Sequence, residues 1–406
     1  MKTVIPKNFI LLVLVWCFIC VVNLSSASAA TQEESPKRHL VIVTIDGLRW
    51  QEVFQGADTK LIEHPDFVQN PEALKMRFWD KSAEARQQKL MPFLSGVIAK
   101  KGMIIGDRNA GSNMSIENKQ HFSYPGYNEI FTGKVDPSLT SNAKVSNKNI
   151  TFLEWLNKQK GFTNQVAVFS GWDVFPMIYN RERSRLFINA GFEAMPIPTT
   201  LNPAEPERTE DRLKRIDVLN TLQSEIPSPW STVRHDAFTY GFAKTYLQLK
   251  QPRVLVINLG ETDDFAHNGK YDAYLDSARR TDDYLRDLWT TLQKMPEYKN
   301  NTNLLIITDH GRGANPDDWQ HHASASAVRD YMTSLSTFEE GIVGSEHIWF
   351  AAIGPDVHSK GLVKTKVEQT QSQFAPSALK LLGFDPHDYD SSAKKSIQGL
   401  TDETNK

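Results

Sequence analysis

The sequence predicts an α/β fold: a parallel-rich central sheet with helices on both faces and loop or cap insertions. Three observations carry this. Short, almost wholly apolar runs rich in β-branched residues recur along the chain; stretches of helical periodicity separate them; and acidic residues stand just after several of the runs. A strand that is apolar throughout is buried on both faces, as in parallel sheets. Strands alternating with helices build such a sheet with a helical layer on each side. Ligands in these folds gather at the strand carboxyl ends, which is where the acids stand.

Residues 1–29 read as a secretory signal peptide. Lys2 and Lys7 precede the fourteen-residue apolar run Phe9–Val22, and Ala27-Ser28-Ala29 gives a small-x-small cleavage pattern. The run is shorter than the roughly 18–20 residues of a spanning helix. The protein is therefore expected to be exported, periplasmic or secreted, with no membrane anchor after cleavage. Ile19 before Cys20 rules out a lipobox. Both cysteines, Cys17 and Cys20, lie in the leader, so the mature chain can form no disulfide, and any metal must take histidine and carboxylate ligands. Residues 30–37 form a polar linker, 38–390 the folded domain, and 391–406 a polar tail.

Within the domain, His39–Ile45 is the first buried strand. Val166–Ser170, Val254–Leu259, Leu304–Thr308 and Ile348–Ile353 are of the same kind. Thr151–Lys160 places Phe152, Leu153 and Leu156 on one helical face. Tyr271–Met295 does so over a longer span with Tyr274, Ala278, Tyr284, Leu285 and Leu288. Phe374–Leu382 is a further helix, and Gly383 suits its carboxyl end. Residues 55–90 and 196–235 read as insertions near the sheet ends that could cap the site, and 323–344 as another insertion. The formal charge of −2, lowered by two when Lys2 and Lys7 leave, argues against a nucleic-acid surface and a stable nucleic-acid complex. It leaves a nucleotide open as substrate.

Four segments carry the chemistry. Asp46 ends VIVTID; such an acid is either a metal ligand or a helix N-cap. Ser123 opens SYPGYNEIFTG, where Pro125 and Gly126 impose a turn and the rest continues as a short helix. A hydroxyl at a helix start suits a nucleophile and an incoming anion. Asp263 and His267 are four residues apart, one helical turn, and suit one cation; Asp264 is the competitor. Asp309 and His310 end the strand LLIIT, and His321 or His322 in DDWQHH supplies a further imidazole, with His347 a third candidate. Carboxylates, imidazoles and a hydroxyl are ligand chemistry for zinc rather than magnesium or calcium.

In this order, VTIDG, SYPGYNEIFTG, DDFAHNG, TDHGRG and the terminal IWFAAIGP resemble the alkaline phosphatase superfamily over roughly residues 38–385. The branch they resemble is the type I phosphodiesterase/nucleotide pyrophosphatase group. The resemblance implies the α/β/α sandwich of that superfamily and two divalent ions, most often zinc. Asp46, Ser123, Asp309 and His310 would hold one; Asp263, His267 and His322 the other. His322 is preferred for its W-x-x-H spacing from Trp319. Ser123 would be the catalytic nucleophile, forming a phosphoserine intermediate on a small-molecule phosphate ester, and Asn142 would help hold the phosphoryl oxygens. The sequence departs from the group at the nucleophile, a serine rather than a threonine, and three residues later, where Gly126 replaces an asparagine.

Three other readings compete. A sulfatase needs Arg where Tyr127 stands. A phosphomonoesterase or phosphomutase needs extra cations for a dianionic phosphate, with Lys119, Lys134, Arg49 and Arg312 as sources. Phe122, Tyr124 and Tyr127 read either as core residues or as rings that stack on a nucleobase or other leaving group, and the second use, which places Tyr124 and Tyr127 at the substrate, favours a diester. A non-catalytic exported binding protein would be expected to have lost a ligand or the hydroxyl, and none is missing.

Overall fold

The apolar runs form the strands they predict, and their alternation explains why they are apolar throughout. In β1 (His39–Ile45), Val41, Val43 and Ile45 enter one core while Leu40 and Ile42 enter another on the opposite face. The structure is a computed structural model that describes Met1 and residues 37–401. The expected signal peptide lies outside the described residues. Among the described residues no helix is long and apolar enough to cross a membrane.

The remaining strands are β2 (Met103–Ile105), β3 (Met114–Ser115), β4 (Val166–Ser170), β5 (Phe187–Ala190), β6 (Val254–Leu259), β7 (Thr302–Ile307), β8 (Phe350–Ile353), β9 (Gly361–Leu362) and β10 (Gln369–Thr370). Eight of them form one sheet in the order β5-β4-β6-β1-β7-β8-β2-β9, and β10 pairs with β3. Only β8 runs against its sheet neighbours. No helix needs to cross over for an antiparallel return, and residues 308–349 make the connection mostly as loop. The helices that place the site are α1 (Trp50–Gln55), α2 (Ser123–Thr132), α3 (Thr209–Glu225), α4 (Asp236–Lys250), α5 (Glu261–His267), α6 (Tyr271–Lys294) and α7 (Phe374–Leu381). The expected helix at 151–160 is shorter, Phe152–Asn157, with the Thr151 side chain capping it through Glu154 N.

Two expectations are corrected. The tail expected from residue 391 is part of the fold: Ile397 and Leu400 are buried in the second core, and Ile397 N donates to Ser377 Oγ. The segment 55–90 is more than a cap. Its helices at Thr59–Ile62, Pro71–Phe78 and Ala83–Leu90 bury Leu61, Ile62, Leu74, Phe78 and Leu90 in the same core as α6. Segment 323–344 packs Ala323, Ala327, Val328 and Ile342 around Phe122, the residue before Ser123.

A buried ion pair underlies this end of the sheet. Arg49 and Glu52 are 1% and 0% exposed, so the pair is inaccessible to water. Glu52 also accepts from Tyr271 and Tyr274, while Arg49 Nη1 donates to Gly313 O at 2.9 Å. Removing one member of such a pair leaves the other charged and unpaired in the interior. Glu52→Ala is expected to cost about 3–5 kcal/mol, read as a lowered urea midpoint; a loss within experimental error would show the pair to be dispensable.

Candidate metal centre and nucleophile

β6, β1 and β7 are adjacent, and each hands an acidic residue to the same edge. Asp46 follows β1, Asp309 follows β7 by one residue, and Gly260 leads from β6 into α5 with Asp263. The Thr262 hydroxyl donates to the Asp46 carbonyl and locks α5 to the end of β1.

The first cluster is Asp46, Asp309 and His310, all buried. His310 Nε2 lies 3.3 Å from Asp46 Oδ1, 3.4 Å from Asp309 Oδ2 and 3.4 Å from Ser123 Oγ. Its Nδ1 faces Gly311 O at 2.8 Å, so that nitrogen carries a proton and Nε2 turns to the acids. The other carboxylate oxygens are held from outside: Asp46 Oδ2 accepts from Tyr127 OH at 3.0 Å and Asp309 Oδ1 from Gly47 N at 3.1 Å. Asp46 Oδ1 and Asp309 Oδ2 are buried and accept no hydrogen bond. Such oxygens are costly unless a cation faces them.

The electrostatics agree. Burial, then the neighbouring Asp46, pushes Asp309 well above the usual carboxylate range, and burial with Asp263 raises Asp46. Burial alone would depress His310, yet Asp309, Asp46 and Asp263 raise it to about 9. The acids crowd one another, and a divalent cation would relieve that repulsion.

The second cluster, Asp263, His310 and His322, shares His310 with the first, and His267 stands beside it. Asp263 Oδ2 is 3.2 Å from His267 Nε2, Asp263 Oδ1 is 3.6 Å from His322 Nε2, and the two Nε2 atoms are 3.0 Å apart. Ligands held at roughly 2.0–2.2 Å around a tetrahedral ion sit about 3.3–3.6 Å from one another, so the donor atoms are near ligating separation. His322 Nδ1 donates to His121 O at 2.9 Å, which aims Nε2 inward. Burial and His310 hold His322 well below the ordinary histidine range, leaving a neutral imidazole suited to ligation. Both clusters therefore fit a divalent cation with imidazole and carboxylate donors. His321 turns toward Phe338 and His347 toward Glu346; neither joins a cluster, nor does Asp264.

Ser123 does not sit in a turn, as the Pro-Gly pair suggested; it begins α2, whose first turn accommodates Pro125. Gly126 has a separate purpose. A Cβ there would lie 2.5 Å from Asp309 O, so the missing side chain lets α2 rest on the end of β7. Glu129, fully buried on α2, accepts Glu117 N, Asn118 N and Asn118 Nδ2 at 2.9–3.0 Å. Asn118 Oδ1 in turn accepts His121 N at 3.1 Å. The path into Ser123 is thus fixed by the helix that follows it. Asn142 Oδ1 accepts Tyr124 N at 2.9 Å, which brings Asn142 to the helix that Ser123 begins.

The stacking role expected of Tyr124 and Tyr127 is corrected. Their rings are 1% and 0% exposed and pack in the second core, as far from solvent as Phe122. Tyr124 OH reaches Val145 O, and Tyr127 OH holds Asp46. Three of the four cations considered for phosphate are also committed elsewhere: Arg49 to Glu52, Lys134 to Asp390 at 2.7 Å, and Arg312 to Asp263. Lys119 is exposed. Sequence reasoning missed the holding roles of Tyr127 and Gly47. Gly47 carried a signal: its φ is +57°, and a Cβ would fall 2.7 Å from both Arg312 Nη1 and Asp263 Oδ1.

A parallel-rich sheet with helices on both faces and acid–imidazole clusters at its carboxyl edge puts the chain in the alkaline phosphatase-like fold class. Within it, the chain belongs to the type I phosphodiesterase/nucleotide pyrophosphatase family, whose sequence profile matches residues 120–379. Asp46 lies before that span and joins the site through the fold. Wild-type alkaline phosphatase PafA superposes with a TM-score of 0.52 at 12% identity, covering 90% of this chain and 99% of that one. A mutant of PafA gives 0.50 at 12%, with 90% and 99% covered. A Vibrio parahaemolyticus protein of the superfamily gives 0.46 at 13%, with 86% and 67% covered. Likenesses at these identities concern the fold, and only the PafA pair bears on it here. No curated protein matches the chain significantly.

Two outcomes are expected. Tyr127→Phe should weaken cation uptake at the first cluster by about 10–100-fold without lowering Tm appreciably; unchanged uptake would separate Tyr127 from the site. Because His310 keeps its extra proton below about 9, binding there must expel it. With Asp309 and Asp46 also raised, zinc affinity should rise at least about tenfold per pH unit below about 9; a flat profile in a competing-chelator assay would contradict this.

Proposed function

We propose that the protein is an exported two-cation hydrolase that cleaves phosphodiesters or nucleotide pyrophosphates through a phosphoserine intermediate. The observation that carries the reading is the position of Ser123 Oγ, 3.4 Å from the imidazole nitrogen at the centre of the first cluster. Divalent cations, most suitably zinc for this donor set, would supply charge that lowers the pKa of a hydroxyl and neutralises a departing oxygen.

The chain's own groups do the rest. Ser123, ionised at Oγ, attacks phosphorus in line, and the bond to the departing ester oxygen breaks. At the start of α2 the backbone N–H of Ser123 is the donor left for the phosphoryl oxygens, because Pro125 has none and Tyr124 N and Gly126 N donate to Asn142 Oδ1 and Phe122 O. Asn142 has its carboxamide oxygen fixed by Tyr124 N, so its NH2 end is available to the same oxygens. Water then cleaves the phosphoserine and frees Ser123. A diester is favoured over a monoester because Arg49, Lys134 and Arg312 are already paired with carboxylates. Export is supported by the leader pattern before residue 30.

The test compares zinc-loaded protein on a bis-aryl phosphate, an aryl monophosphate and an aryl sulfate, with elemental analysis for metal. The diester is expected to turn over fastest, with close to two zinc ions per chain. Ser123→Ala should keep its metal and lose nearly all turnover. Preference for the sulfate, or full activity in the alanine variant, would overturn the reading.

A further inference from the structure

The two clusters differ in charge, and one buried side chain widens the difference. The first brings together two carboxylates, Asp46 and Asp309. The second has one, Asp263, and Arg312 lies against it. Arg312 is fully buried; Nη1 donates to Asp263 Oδ1, Nε to Trp319 O at 3.2 Å and Nη2 to Gln320 O. The guanidinium is thus locked by the segment leading to His322 and cannot swing away. It leaves Asp263 Oδ2 free toward His267 Nε2, at 3.2 Å.

We propose that Arg312 makes the cation positions unequal. The Asp46–Asp309–His310 position fills first and holds its ion tightly; the Asp263–His267–His322 position binds weakly and exchanges. This rests on the two-cation reading above. The argument is one of charge. A guanidinium keeps its positive charge at any working pH. In contact with the sole carboxylate of a site, it cancels the formal charge that would attract a divalent ion, and it repels that ion across a few ångströms of poorly screening protein. Among the described residues, no arginine or lysine contacts the carboxylates of the first position, whose partners are His310, Tyr127 and Gly47 N.

Arg312 also ties α5 to residues 319–322, so its loss has a second effect. If scaffolding were its whole role, removing it would loosen Asp263 and His322 and weaken the second position. Neutralisation gives the opposite sign, which is what the experiment reads.

Zinc is added to metal-free protein against a competing chelating dye, and both binding steps are fitted. The wild type should show two steps separated by at least about tenfold. Arg312→Met should tighten the weaker step by at least about tenfold, and Arg312→Lys, which keeps the charge but loses the fork, should not. Coincident steps in the wild type overturn the proposal, as does an unchanged or weakened second step in Arg312→Met. If Arg312→Met does not fold, Arg312→Gln is measured in its place, with the same tightening expected and the same results overturning the proposal. Two equal sites would sink this inference alone, whereas no zinc uptake would sink the two-cation reading with it.

Discussion

The site depends on the enforced proximity of Asp46, Asp309 and His310 at the ends of neighbouring strands. Parallel pairing of β1 with β7 sets Thr44 against Ile307, so the residues that follow emerge side by side. Burial beneath α2 removes water from around them. The result is two carboxylate oxygens without hydrogen bonds and a histidine raised to about 9. An interior ordinarily avoids such an arrangement. Strands and helices elsewhere supply the stability that maintains it, with nearly continuous apolar packing on both faces of the sheet.

The hydroxyl and the imidazoles are also mechanically linked. His322 takes its orientation from the carbonyl of His121, two residues before Ser123. His121 is itself held in a left-handed conformation, φ +57°, by Asn118, and Asn118 is held by Glu129 on the helix that Ser123 begins. On the other side, Trp319 packs edge-on against Tyr271 and Tyr274, the tyrosines that hold Glu52. The segment carrying His322 is therefore braced by α2 at one end and by the Arg49–Glu52 pair at the other.

This network explains what the sequence made legible. Asp46, Asp309 and His310 could be read because they stand beside strands whose apolar character is unmistakable, and strand ends are where such folds place chemistry. Asp263 and His267 could be read from helical spacing. Tyr124 and Tyr127 were misread because an aromatic ring beside a nucleophile looks the same in sequence whether it faces ligand or core; only the packing of α2 decides. Arg312 was misjudged for a related reason: its partner, Asp263, is 49 residues away, and local pattern does not reveal such pairs. Residues 391–401 looked like a tail because Ile397 and Leu400 are isolated apolar residues in a polar stretch, too sparse to show a period.

Charge balance links Arg312 to substrate choice even though its contacts are with Asp263 and two backbone carbonyls. On the proposed reading, the carboxylates of Asp46, Asp263 and Asp309 with an ionised Ser123, offset by the Arg312 guanidinium, leave an excess of three negative charges. Two divalent cations turn that into one positive charge. A singly charged diester closes the balance at zero, whereas a doubly charged monoester leaves a negative site that needs a further cation. Arg49 and Lys134 are engaged elsewhere. In a buried site, an uncompensated charge weighs more than it would in water. By this argument the guanidinium that weakens one cation position also lets the site accept the single negative charge of a diester.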